Sequence, residues 1–233
     1  MTGPSERIRV LIADDQPLVR RGVALALTPD PAFDVVAEAD NGQRAVELAH
    51  QHRPHVVVMD IRMPVLDGVQ ATERLVRELP ACRVLALSTF DMDEYVVASL
   101  RAGASGFLPK DVSPAELVAA VRTVHTGEAA VAPRLLTRLI SAYVTASRRP
   151  QPPSQVPGAC ELTPREVEVW HLLATGLDNA EIASAMGIST STVKNHITSI
   201  FAKLSVRDRA QAVISAYESG LVEARWANSA GWT

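Results

Sequence analysis

The sequence predicts an α/β domain built on a five-stranded parallel sheet, followed by a small all-helical domain. Three observations predict it. Five short apolar runs alternate with helix-patterned stretches up to residue 128, a proline-rich segment interrupts the chain near residue 150, and no strand pattern follows it.

The strand-like runs are IRVLIA at 8–13, FDVVAEA at 33–39, HVVVM at 55–59, RVLALS at 83–88 and GFLP at 106–109. Mostly continuous apolar runs suit strands covered on both faces, as helical crossovers between parallel strands require. Ser113-Pro114-Ala115-Glu116 is a capping box with proline at the first helical position, and Gly127 follows as a stop. The segment 146–158, ASRRPQPPSQVPG, holds four prolines and almost no apolar residue, so it reads as a linker. Just before it, Leu135, Leu139 and Tyr143 fall at helical spacing, with Leu136 and Ile140 widening the stripe. This amphipathic helix, at about 133–146, either closes the first domain or makes a signalling or dimer contact.

Beyond the linker, Thr163-Pro164-Arg165-Glu166 repeats the capping box and opens a helix carrying Val167, Trp170, Leu172 and Leu173. Helices are predicted near 164–175, 179–186, 190–204 and 207–219, with Met186-Gly187-Ile188-Ser189 as a tight turn between the second and third. That is helix-turn-helix grammar. The organisation is thus a first domain at 1–128, a linker at 129–158, a helical domain at 159–225 and a tail at 226–233.

Composition limits the function classes. With 233 residues, 47% hydrophobic and 21% charged, the chain is neither disordered, collagen-like nor a disulfide scaffold. No apolar run approaches the roughly 18 residues of a membrane span, and MTGPSERIR lacks the apolar stretch of a signal peptide, so a cytoplasmic protein without membrane contact is expected. Cys82 and Cys160 have no CxxC partner and read as free thiols. The net charge of −3 divides unevenly. Residues 1–128 carry 13 bases and 18 acids, 129–158 carry four bases and no acid, and 159–225 carry six bases and eight acids. Within the last segment, 161–181 holds one base against five acids, while 189–209 holds Lys194, Lys203, Arg207 and Arg209 against Asp208 alone. Such a polarity is what one DNA-facing surface would produce.

Asp14 and Asp15 stand directly after the first strand, Asp60 after the third, Ser88 at the end of the fourth and Lys110 after the fifth. Parallel strands bring their carboxyl ends to one edge, where open α/β sheets bind ligands. Taken singly, the acids could cap helices or sit in turns, and Lys110 could be a solvated surface residue. Coincidence at four of five strand ends favours a site. Three clustered carboxylates call for a cation, and hard oxygen ligands suit Mg²⁺. A carboxylate such as Asp60 can then act as nucleophile toward phosphorus, with Lys110 and the Ser88 hydroxyl answering the phosphoryl oxygens.

Residues 6–128 resemble the receiver domain of two-component response regulators. The motifs are Ala13-Asp14-Asp15, Val58-Met59-Asp60-Ile61-Arg62-Met63-Pro64, Asp67-Gly68, Leu87-Ser88 and Gly103 to Lys110. The resemblance implies a flavodoxin-like, doubly wound fold, Asp60 as phosphoacceptor, and a sensor histidine kinase as donor. It further implies Mg²⁺ held by Asp14, Asp15, Asp60 and the backbone carbonyl of Arg62. Ser88 would be a switch hydroxyl and Phe107 a switch aromatic that follows it inward. Serine and phenylalanine stand where threonine and tyrosine are common in the family, and Asp111 stands where many receivers have a cis-proline, so a trans Lys110-Asp111 bond is expected.

In the helical segment, Ala183, Ile188, Val193 and Ile197 suit a small core, leaving Lys194, Asn195, Thr198 and Lys203 to point outward. A polar, weakly basic exposed helix fits the major groove, where Asn195 can pair with adenine and Lys194 can reach guanine or a phosphate. Ser191 and Thr192 can contact phosphates near the helix N-terminus. A helical bundle for protein contacts is the alternative on composition alone. Residues 162–169, Asn179 to Ala183, Ser191 to His196 and Lys203-Leu204 resemble the LuxR-type DNA-binding domain, and the whole chain resembles the NarL/FixJ class of response regulators. That resemblance implies a homodimer on double-stranded promoter DNA, with Ala210, Val213, Ile214 and Tyr217 of the last helix as dimer residues, and RNA polymerase as a further partner. The chain would then be no enzyme beyond its own phosphoryl transfer and dephosphorylation. A phosphorylation-independent regulator and a Mg²⁺-dependent phosphohydrolase are the rival readings. The HxHxxH cluster of His50, His52 and His55 spans a helix end and a strand, which scatters the rings, so it does not read as a metal site.

Overall fold

The computed structural model describes residues 7–88, 93–128, 130 and 156–222. The expected amphipathic helix at 133–146, most of the linker and the 226–233 tail lie outside the described residues. The chain divides into two compact units, Met1–Val131 and Ala132–Thr233.

The first unit runs β1 (Ile8–Ala13), α1 (Pro17–Leu27), β2 (Phe33–Ala39), α2 (Gly42–His52), β3 (Val56–Asp60), α3 (Gly68–Glu78), β4 (Arg83–Ser88), α4 (Asp93–Arg101), β5 (Gly106–Pro109) and α5 (Pro114–His125). Its five strands form one parallel sheet in the order β2-β1-β3-β4-β5. The chain starts mid-sheet and winds outward to both edges, which is the doubly wound, flavodoxin-like arrangement. One apolar cluster, with Val10, Ile12, Val58 and Leu85, packs under α1 and α5. The other, with Leu11, Val57, Met59 and Val84, packs under α2 and α3. Successive strand residues point to opposite faces, so both faces need apolar side chains, and every residue of β3 is buried. Four of the five strands match their predicted bounds. The third is shifted by one residue, because Asp60 continues the ladder opposite Leu87.

Local chemistry fixes the helix starts. Asn41 caps α2, Asp67 caps α3, and Ser113 with Glu116 closes the capping box of α5. Gly127 follows α5 at φ +86, in the left-handed region that favours glycine. The Lys110-Asp111 bond is trans, as are the other peptide bonds among the described residues.

The second unit carries a short 3₁₀ turn (Ala159–Glu161), then α6 (Pro164–Ala174), α7 (Asn179–Met186), α8 (Thr190–Leu204) and α9 (Arg209–Glu218). Val169, Trp170, Leu173, Ile182, Val193, Ile200 and Leu204 are buried among these helices, and the Trp170 indole donates to the Ala212 carbonyl at 2.8 Å. Ala183 and Val193 join this core as expected, whereas Ile188 and Ile197 are half-buried. Gly187, at φ +64, ends α7 and starts the turn into α8. The last helix begins at Arg209 instead of 207, because Asp208 is its cap and accepts from the Gln211 N–H.

Candidate functional site

The sheet's carboxyl edge collects the acidic residues. Asp14 leaves β1 fully buried, with its N–H bonded to the Ala39 carbonyl and its Oδ1 accepting from the Gln16 N–H. Asp15 is exposed beside it. Asp60 ends β3 and is 4% exposed. Lys110 leaves β5 and reaches between the two buried acids, with Nζ 2.7 Å from Asp14 Oδ2 and 2.9 Å from Asp60 Oδ2. Its backbone N–H bonds the Ser88 carbonyl, which ties the two strand ends together. Ser88 is buried there and Phe107 is half-buried on the neighbouring strand.

Two acids facing one lysine leave the cluster under-compensated. Burial raises the Asp60 pKa, and the Asp14 charge adds to the rise, while hydrogen bonding to Lys110 opposes it. Burial alone would lower the Lys110 pKa, yet its contacts to Asp14 and Asp60 outweigh that and raise it. Asp14 Oδ2 is fully buried, and among the described residues only the Lys110 ammonium answers it. One carboxylate oxygen each from Asp14, Asp15 and Asp60 lie within 4.8 Å of one another. A hard, anionic oxygen set in which two buried carboxylates share one lysine fits Mg²⁺. The Arg62 N–H lies 3.4 Å from Asp60 Oδ1.

One support escaped sequence reasoning. The Arg20 guanidinium donates to the Asp14 carbonyl at 2.7 Å and lies 3.6 Å from Glu38, clamping the β1 end to β2. Its position three residues after the helix-opening Pro17 was the available signal, but an arginine on a helix is ordinarily solvated. Gly68, part of the Asp67-Gly68 motif, gains its physical reason from the structure. A Cβ there would overlap the Asp60 carbonyl, so only glycine lets α3 start against the end of β3. The histidines do not converge: His50 pairs with Glu78 at 2.8 Å, while His55 Nδ1 accepts from the Arg9 N–H and its ring packs against His125.

In the second unit, α8 presents Ser191, Lys194, Asn195 and Thr198 exposed, with Thr192 half-buried. The hydroxyls of Ser191 and Thr192 lie 2.7 and 2.8 Å from the Ser189 capping hydroxyl, and Thr198 donates back to the Lys194 carbonyl. Lys203 departs from the expected outward pose. Its Nζ lies 2.7 and 3.0 Å from the two carboxylate oxygens of Glu166, which is 5% exposed. The wider basic stripe read from 189–209 is corrected too, because three of its four bases are engaged inside the unit. Besides Lys203, Arg207 lies 3.7 Å from Asp208, and Arg209 donates to Asn179 and to the Leu177 carbonyl. The dimer residues are the clearest correction. Ala210, Val213, Ile214 and Tyr217 are 0, 1, 6 and 8% exposed, since α9 uses this apolar face to pack against α6, so they offer no open face to a second copy.

Comparison with known proteins agrees with both units. The response regulator receiver domain matches residues 10–122, and the bacterial regulatory proteins of the luxR family match residues 161–216. The transcriptional regulatory protein LnrK of Bacillus subtilis is 40% identical over 219 residues, covering 92% of this chain and 98% of its own length. DegU of Brevibacillus brevis is 39% identical over 228 residues, with 94% and 97% covered. Among solved structures, the signal receiver domain of NarL from Mycobacterium tuberculosis is similar at a TM-score of 0.50 and 42% identity, covering 52% of this chain and 98% of that one.

Proposed function

The chain belongs to the two-component response regulators that join a receiver domain to a LuxR-type DNA-binding domain, and on that premise we propose that phosphorylation of Asp60 by a sensor histidine kinase switches its binding to promoter DNA. The family regulates transcription and is not an enzyme class in the ordinary sense. The observation that carries the reading is the buried Asp60 carboxylate at a strand end, held 2.9 Å from Lys110 and beside Asp14.

In this reading an Asp60 oxygen attacks the phosphorus of a phosphohistidine, the P–N bond breaks, and the imidazole leaves. Asp14, Asp15 and Asp60 would hold Mg²⁺, together with the Arg62 carbonyl; the ion supplies charge neutralisation to the transferring phosphoryl group. Lys110 stays beside the acceptor and takes a phosphoryl oxygen as its countercharge. Ser88 donates its hydroxyl to another, Phe107 moves inward behind it, and the face around α4 and β5 changes shape. Slow hydrolysis at the same carboxyl resets the switch. On the second unit, Asn195 reads base edges, Lys194 takes a phosphate at the groove edge, and Ser191, Thr192 and Thr198 line the approach to the backbone.

The protein works in the cytoplasm, binds DNA as a homodimer and acts on RNA polymerase. Because the proposed dimer residues of α9 are buried, that dimer uses another surface or needs α9 uncovered. Among the described residues no helix is long and apolar enough to cross a membrane.

The test combines purified protein with genomic DNA fragments, Mg²⁺ and a small phosphodonor, and follows phosphate incorporation in the same tubes. Incorporation and DNA binding should both rise, and both should fail in Asp60→Ala. Equal DNA binding in every tube would leave a regulator controlled by something other than phosphorylation. Turnover of small phosphate esters without DNA binding would mark a phosphohydrolase.

A further inference from the structure

Glu166 opens α6 as the third residue of a capping box, a role satisfied by one carboxylate oxygen accepting from Thr163. It does more than that. The same carboxylate accepts from the Ser199 hydroxyl at 2.6 Å and from Lys203 Nζ at 2.7 and 3.0 Å, while the Thr163 N–H and hydroxyl lie at 2.7 and 2.9 Å. Ser199 and Lys203 are four residues apart and therefore share one face of α8. Donors from two helices hold the Glu166 pKa down at about 2, Lys203 and Ser199 contributing most. The backbone at Lys203 is braced separately, since Gly158 sits at φ +75 where a Cβ would overlap the Lys203 carbonyl.

We propose that Glu166 is a positioning residue for DNA binding: through Ser199 and Lys203 it fixes the C-terminal half of α8 on the start of α6, and it withdraws Lys203 from the phosphates. The inference rests on the reading of α8 as the DNA-facing helix. It splits the lysines of that helix into two kinds, with exposed Lys194 meeting DNA and Lys203 acting as a strut.

The salt dependence of binding separates a strut from a phosphate contact. Each phosphate neutralised by a side chain adds about 0.9 to the slope of log K against log salt, whereas a strut adds nothing to it. The full-length chain is titrated with a short duplex enriched on wild-type protein from a random-sequence pool, at several salt concentrations. Folding of each variant is checked by circular dichroism. Lys194→Gln should flatten the slope by about 0.9. Lys203→Gln and Glu166→Gln should each weaken binding by roughly 10-fold with the slope unchanged, and the double variant should be no weaker than either single one. Ser199→Ala removes one arm and keeps the ion pair, so it should give a smaller loss at the same slope; it also keeps the test alive if Glu166→Gln does not fold.

A slope flattened by Lys203→Gln would overturn the inference, because the lysine would then touch phosphate. Unchanged affinity in folded Lys203→Gln and Ser199→Ala would overturn it as well, leaving the cluster purely structural. If no duplex is enriched by wild-type protein, the DNA-facing reading itself fails and the inference falls with it.

Discussion

Each unit contains a buried carboxylate beside a lysine, and the two are poised in opposite senses. At the sheet edge, Asp14 and Asp60 share Lys110, and burial with like-charge repulsion raises the Asp60 pKa. Between α6 and α8, Glu166 takes Lys203, Ser199 and Thr163, and its pKa falls to about 2. The difference lies in the ratio of acids to donors. An under-compensated cluster gains from any cation or phosphoryl chemistry that relieves it, while a saturated one gains only from staying as it is.

The largest effect should come from removing the shared cation. Lys110→Met leaves two buried carboxylates facing each other, and breaking such a pair costs about 3–5 kcal/mol. Urea unfolding without divalent ions should show a loss near the lower end at pH 8 and a smaller one at pH 5, because burial and the Asp14 charge raise the Asp60 pKa and so favour its neutral form as the pH falls. Equal losses at the two pH values would mean that the repulsion is not what Lys110 relieves.

Next in size is the glycine against the end of β3. Gly68→Ala should destabilise the first unit by about 2 kcal/mol through overpacking against the Asp60 carbonyl. A neutral result would show that α3 can withdraw from that strand.

The pH slopes are smaller and differ in sign. Glu166 has a folded pKa of about 2 against an ordinary 4.5, so its contribution is complete above 4.5 and is lost as the pH falls through about 2. The Asp60 pKa is raised, so its contribution is complete below 3.8 and is lost as the pH rises through the folded value. Unfolding followed by tryptophan fluorescence, whose three sources all lie in the second unit, should show the acid-side loss in wild-type protein and a flatter acid limb in Glu166→Gln.

The parallel sheet and the edge where Asp14, Asp60, Ser88 and Lys110 meet were legible because apolar runs alternating with helices leave few arrangements, whereas the doubly wound arrangement came from the family resemblance. Capping boxes at Ser113 and Thr163 were legible because they are local. Long-range polar pairing was not. Lys203 and Glu166 are 37 residues apart, and nothing in either neighbourhood says that the charge on α8 is spent inside the fold. Arg20 on the Asp14 carbonyl was hidden for a similar reason, since a backbone acceptor leaves no mark in the sequence. The α9 residues were misread because an apolar stripe looks alike whether it packs on a neighbouring helix or on a second copy.

The opposite poise of the two clusters is tested most directly by thermal unfolding of Asp60→Asn and Glu166→Gln in the presence of a chelator. Neutralising Asp60 should raise the melting temperature of the receiver transition by about 4 °C, for a gain near 1 kcal/mol. Neutralising Glu166 should lower stability by about 1–2 kcal/mol, the range of a charge-assisted hydrogen bond. A loss in both variants would contradict the account, because Asp60 would then be as well satisfied in the resting fold as Glu166.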